Sequence, residues 1–139
     1  IARIVANELF IGDRSASQAD IDVTDAIDLS GVGAASLLTD NDFTIKSGGS
    51  LTADGELVIA ANSFTNEAGA AALDAGTGRY LVYSVSPLTD DVDGLSGARR
   101  YARSYSVNPP STISESAPVR YRVWRIASTC GSLARWTRK

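Results

Sequence analysis

Apolar residues along the first half of the chain fall into short clusters separated by polar bends. "IVANELFI" from Ile4, "IDVTDAIDL" from Ile21, "LLTDNDFTI" from Leu37, "LTADGELVI" from Leu51 and "FTNEAGAAA" from Phe64 can be stacked. In each, an apolar residue is followed by a polar or small turn and then a second apolar pair. The spacing of the first apolar positions shrinks steadily along the chain. A second series, Leu9, Ile27, Phe43, Leu57 and Ala70, has a further apolar residue two positions on, at Ile11, Leu29, Ile45, Ile59 and Ala72. Period two is the signature of a strand with one face turned inward.

Between the two series lie Asn7-Glu8, Thr24-Asp25, Asp40-Asn41, Asp54-Gly55 and Asn66-Glu67. Asn, Asp and Gly bend the chain by local side-chain hydrogen bonds and by tolerating left-handed backbone. A short strand, a bend and another short strand bury no core alone; stacked on copies of themselves they do. The pattern predicts a right-handed parallel β-helix over 1–87, with Ile4, Ile21, Leu37, Leu51 and Phe64 in one inward column. An antiparallel sandwich is the competing arrangement.

"RYLVYSVSP" (79–87) breaks the pattern. Both faces of this strand are apolar, so it is expected to be covered on both sides, closing the solenoid or opening whatever packs on its end, and Pro87 ends it. A linking region over 88–110 follows, with a short helix expected from Leu95 to Arg103. Beyond it, 111–139 holds a half-exposed strand, "VRYRVW" (119–124), and an irregular basic tail. That tail, after Trp124, reads as a truncated or frame-shifted end.

Composition narrows the chemistry. The 139 residues suffice for one domain, and Gly, Ser, Thr, Asp and Ala dominate. With no His there is no Ser-His-Asp or Cys-His pair and no His-based zinc site. The single Cys130 excludes an intrachain disulfide and a Cys-cluster metal site. No apolar run is long enough to suggest a membrane-spanning helix. The opening "IARIVANELF" lacks an initiator Met and a signal-peptide pattern, and we read the chain as an internal piece of a larger protein. Charge is uneven, about −8 over 1–111 and +5 over 112–139. An acidic body argues against nucleic acid as a partner.

Few residues invite a site reading. Asp90, Asp91 and Asp93 before Gly94 are weak candidates for Ca²⁺, but the EF-hand pattern fails, since Arg100 stands where a bidentate Glu is needed. The favoured reading is an acidic lip at a strand end. The pairs Asp20/Asp22, Asp25/Asp28 and Asp40/Asp42 bear comparison with glycosidase carboxylates, yet they recur at bends, where Asp already has a structural job. "KSGGS" (46–50) and "GTG" (76–78) match no phosphate-binding loop and read as bends. "RRYAR" (99–103) reads as a solvated helix face carrying Arg99 and Arg103. No catalytic, cofactor-binding or metal residue is assigned and no cofactor is expected.

Over about residues 19–124 the chain resembles the filamentous haemagglutinin family, the large exoproteins of Gram-negative two-partner secretion. The likeness is carried by "DFTI…GGSL", "SFTNEAGAAAL", "GLSGARRYARSYSVNPP" and above all "GRYLVYSVSP". It implies a non-enzymatic segment of a secreted or surface-held β-helical shaft acting in adhesion or aggregation. Its expected partners are adjoining segments of the parent protein, an outer-membrane transporter and a host-surface glycan or protein, engaged by exposed loops such as Asp13 to Asp20. The family's N-terminal secretion domain has no match here. The competing functions are a carbohydrate-active β-helix enzyme using Asp residues, and a nonfunctional gene fragment.

Overall fold

The computed structural model describes residues 5–14, 19–85, 88–101, 103–114 and 119–122. Twelve strands are present among them: β1 (Ala6–Gly12), β2 (Ile21–Val23), β3 (Ala26–Leu29), β4 (Val32–Leu38), β5 (Asp42–Ile45), β6 (Ser50–Ala53), β7 (Glu56–Ala61), β8 (Ser63–Asn66), β9 (Leu73–Asp74), β10 (Tyr80–Ser84), β11 (Ala98–Tyr101) and β12 (Val119–Arg122). Helix among the described residues is limited to two 3₁₀ turns, Gly69–Ala71 and Pro110–Thr112. Every pairing between these strands is parallel.

The chain visits three sheets in rotation. A six-stranded sheet runs β1-β4-β7-β10-β12-β11, and two three-stranded sheets run β2-β5-β8 and β3-β6-β9. Each circuit of three strands is one coil, and about three coils stack into a β-solenoid. Parallel strands need connections that travel away and return, and here the other two faces of the coil are those connections.

The period differs from the one read in the sequence, and the difference is instructive. Register places Leu37 opposite Ile11 and Ile59 in the large sheet. Leu51 lies opposite Ile27 and Leu73, whereas Ile21 and Phe64 flank Phe43 in the remaining sheet. The expected single column is therefore spread over three faces, and Ile4 lies outside the described residues. The spacing read from the apolar clusters measured the distance from one strand to another around a corner. The coil itself is longer: from β1 to β10 its repeat runs from Asp42 to Ser63 at its shortest pairing and from Ala6 to Val32 at its longest.

The inward positions are mostly those the alternation selects; Ala70 is the exception, exposed in the 3₁₀ turn Gly69–Ala71 instead of turned inward on a strand. Phe43, Ile45, Leu51, Leu57, Ile59 and Phe64 are fully buried in one core. Phe43 and Phe64, one coil apart, stack with ring centroids 6.0 Å apart and planes 16° from parallel. In-register stacking puts like beside like, and each such ring contributes roughly 1.5–3 kcal/mol by burial. Asn66 occupies an inward position next in line from Ile45 and is buried. It is tolerated because its amide is satisfied: Nδ2 donates to the carbonyls of Gly69 and Asp93, both at 2.8 Å, and Oδ1 accepts from the Ala68 N–H at 3.0 Å.

One corner is built of glycine. Gly33, Gly55 and Gly78 stack at the start of β4 and just before β7 and β10. A Cβ on Gly55 would lie 1.9 Å from the Gly33 carbonyl oxygen, and one on Gly78 2.2 Å from that of Gly55. Only a residue without a side chain lets successive coils approach this closely.

β10 is covered on both sides, as its composition predicts. Its inner face, Tyr80 and Val82, joins the main core, while Leu81 and Tyr83 form a second cluster outside the sheet with Leu38, Val58 and Ala60. Residues 103–114 lie over that outer cluster as a strap. Tyr105 meets Tyr83 edge-on at 5.6 Å, and Ile113 packs beside them. The Tyr83 hydroxyl donates to the Asn108 carbonyl at 2.9 Å. On the inner side Ser84 is buried with no hydrogen-bond partner for its hydroxyl among the described residues.

The expected helix from Leu95 to Arg103 does not form. Gly94 and Gly97 take positive φ, 69° and 122°, which no α-helix admits, and β11 occupies Ala98–Tyr101. Without the helix, the reading of Arg99 and Arg103 as one solvated helix face falls too. Strand pairing also continues beyond residue 87. Asp91 bridges to Thr65, and β12 pairs with β10 on one side and β11 on the other. The strand expected at 119–124 is present over Val119–Arg122; the tail from Val123 onward, with Cys130, lies outside the described residues.

Candidate binding groove

The clustered aspartates serve the backbone. Asp90 Oδ1 accepts the Phe64 N–H at 2.9 Å, and Asp91 Oδ1 accepts the Asp93 N–H at 3.0 Å. The Asp91 main chain pairs with β8 through both its groups, its N–H donating to Phe64 O at 3.0 Å and its carbonyl accepting from Asn66 N at 2.9 Å. These three residues extend the β2-β5-β8 face by one more rung and do not converge on a cation; among the described residues no three acidic or thiol groups are gathered for a metal.

The other Asp pairs are similarly employed. Asp20 Oδ1 accepts the Asp42 N–H at 3.3 Å, and Asp42 Oδ1 accepts the Ser63 hydroxyl at 2.7 Å, so one column is tied from coil to coil. Asp25 accepts from the Thr24 hydroxyl and Asp28 from the Ser30 N–H. Asp22 lies 3.9 Å from Lys46 Nζ, which is also 3.5 Å from Glu67 Oε1. Lys46, on the middle coil, thus spans an acid on the coil before and an acid on the coil after. Asp40 faces Arg14, whose guanidinium donates to the Thr39 carbonyl at 2.7 Å. Burial pushes the Arg14 pKa down, and Asp40 and Tyr105 oppose that shift. The loop from Asp13 to Asp20 includes residues outside those described.

What the sequence did not single out is a hollow on the outer face of the large sheet. Two adjacent outward columns create it: Glu8–Ala34–Glu56 and Phe10–Ser36–Val58. On the middle strand, β4, both outward residues are small, while their neighbours on β1 and β7 are large. The missing side-chain volume leaves a depression of about 210 Å³, roofed on one side by Tyr105, Pro110 and Ser111 of the strap.

Arg79 fixes the strap to this region. Its Nε donates to Glu56 Oε2 at 2.6 Å, and Nη2 pairs with the same carboxylate. Nη1 donates to the Ile113 carbonyl at 2.8 Å and Nη2 to the Pro110 carbonyl at 3.1 Å. The guanidinium fork thereby ties β10, β7 and the strap together, a role that suits Arg better than Lys. Glu8 and Phe10 stand exposed at the opposite rim, Phe10 at 59 %.

Comparison with known protein families, curated proteins and solved structures finds no match to this chain. The fold is a β-solenoid.

Proposed function

We propose that this chain is a stretch of β-solenoid shaft in a larger exported surface protein of the filamentous haemagglutinin type, a rigid, non-enzymatic spacer in cell adhesion or aggregation. The supporting observation is the state of its first coil. Ile11 and Ile27 point inward, in the columns Ile11–Leu37–Ile59 and Ile27–Leu51–Leu73, yet they are 42 % and 41 % exposed while the partners named are buried. Among the described residues no strand stacks ahead of Ile11 or Ile27, so these columns end open there. A capped solenoid covers such an end with polar or bulky structure, whereas another coil of the same kind would continue it. Stacked backbone hydrogen bonds make such a rod stiff without any cofactor. Export by an outer-membrane transporter and contact with a host glycan or protein at the tip accompany this reading.

Excision tests it in the cell that makes the protein. Removing residues 33–54 joins Val32 to Gly55 and leaves every column in register; removing 33–43 does not. A shaft predicts that the first deletion retains surface display and cell aggregation while shortening the rod by one rung, about 4.8 Å, and that the second loses both. Loss of aggregation at full display in the first variant would show that the coil itself carries the activity and overturn the spacer reading.

A further inference from the structure

The outward column Glu8–Ala34–Glu56 continues on the next coil to Arg79, so its charges read acid, gap, acid, base. On another face the protein shows how a middle coil can fill such a place: Lys46 lies between Asp22 of the coil before and Glu67 of the coil after. At the hollow that middle position is Ala34. Two acidic residues therefore stand one rung, about 4.8 Å along the ladder, to either side of Ala34. Arg79 neutralises Glu56 and binds its Oε2 from the next coil, and Glu56 itself lines the hollow. Glu8, exposed at the rim, has no ion-pair partner among the described residues.

We propose that this groove binds an organic cation, an ammonium or guanidinium head seated over Ala34 between Glu8 and Glu56. Its stem lies against Phe10 and Tyr105, where aromatic faces favour a cation further. The body around it is acidic, which raises the local concentration of cationic ligands and disfavours anionic ones. Two sources present this chemistry: a free small amine or guanidine, and a Lys or Arg side chain of another polypeptide.

The test is an amide NMR titration of the full chain at low salt. The probes are butylguanidinium, its neutral isostere butylurea, and a Gly-Arg-Gly peptide with blocked ends. Butylguanidinium is expected to shift the Ala34, Ser36 and Ser111 amides saturably, and butylurea not. Tighter binding of the peptide identifies a polypeptide side chain as the source; equal binding identifies a free cation. Glu8→Gln, at an exposed position, is expected to weaken binding about fivefold, the factor for one solvent-exposed charge pair. Ala34→Lys supplies the cation from within, and is expected to abolish binding and raise the unfolding midpoint. Equal shifts with butylurea, unchanged affinity in Glu8→Gln, or no saturable shift at all would each overturn the proposal.

Discussion

At the scale of single residues, the fold depends as much on what is missing as on what is buried. Gly33, Gly55 and Gly78 mark the corner where the backbone of each coil passes closest to the last. A methyl group at Gly55 must displace the Gly33 carbonyl, and backbone held by ladders on both sides has little room to move. Gly55→Ala is therefore expected to destabilise the protein by about 3 kcal/mol or more, beyond the ordinary cost of overpacking. Urea denaturation measures it. The exposed Gly48, with nothing near its absent Cβ but a φ of 90°, is the comparison: Gly48→Ala should cost only about 1 kcal/mol, from backbone strain alone.

At the scale of elements, the strap over residues 103–114 and the sheet beneath it are joined by a few identifiable contacts. Tyr105 against Tyr83, the Tyr83 hydroxyl on Asn108 and the Arg79 fork attach it among the described residues. Tyr105→Ala removes the aromatic pair and opens the roof of the hollow. The expected outcome is faster proteolytic cleavage within 103–114, with the parallel sheet content unchanged by circular dichroism; a loss of sheet would show that the strap is part of the folding unit. The legibility of the chain also belongs to this scale. Alternation told inward from outward at Phe43, Ile45, Leu57 and Ile59, because a half-buried strand writes period two directly into its sequence. Coil length was hidden, because Ile21, Leu37 and Leu51 are chemically alike while standing on three different faces. Gly33, Gly55 and Gly78 carried the true period in their nearly even spacing, since close approach constrains residue type more sharply than burial does. The hollow was unreadable for a further reason: Ala34 and Ser36 matter only through side chains on the coils before and after them.

At the scale of the whole molecule, a stack of coils has no single centre of stability. Each coil touches only the coils beside it, so protection against opening is set by how many neighbours a strand has and how well its end is covered. β4 and β7 are sandwiched between paired strands, and their inward residues Leu37, Leu57 and Ile59 are buried. Among the described residues β1 has one partner strand, and on it Phe10 and Ile11 are exposed to solvent. Native-state hydrogen exchange is thus expected to be graded: amides of β1 exchange first, and those of β4 and β7 exchange last, near the global unfolding limit. A globular core would open as one unit and give uniform protection across these strands. The gradient is also what a rod segment requires, because the edge that opens most readily is the edge on which the next coil would stack. Adding a coil ahead of β1 should raise protection in β1 to the level of β4, and if β1 already exchanges as slowly as β4 in the chain alone, its edge is not waiting for a partner.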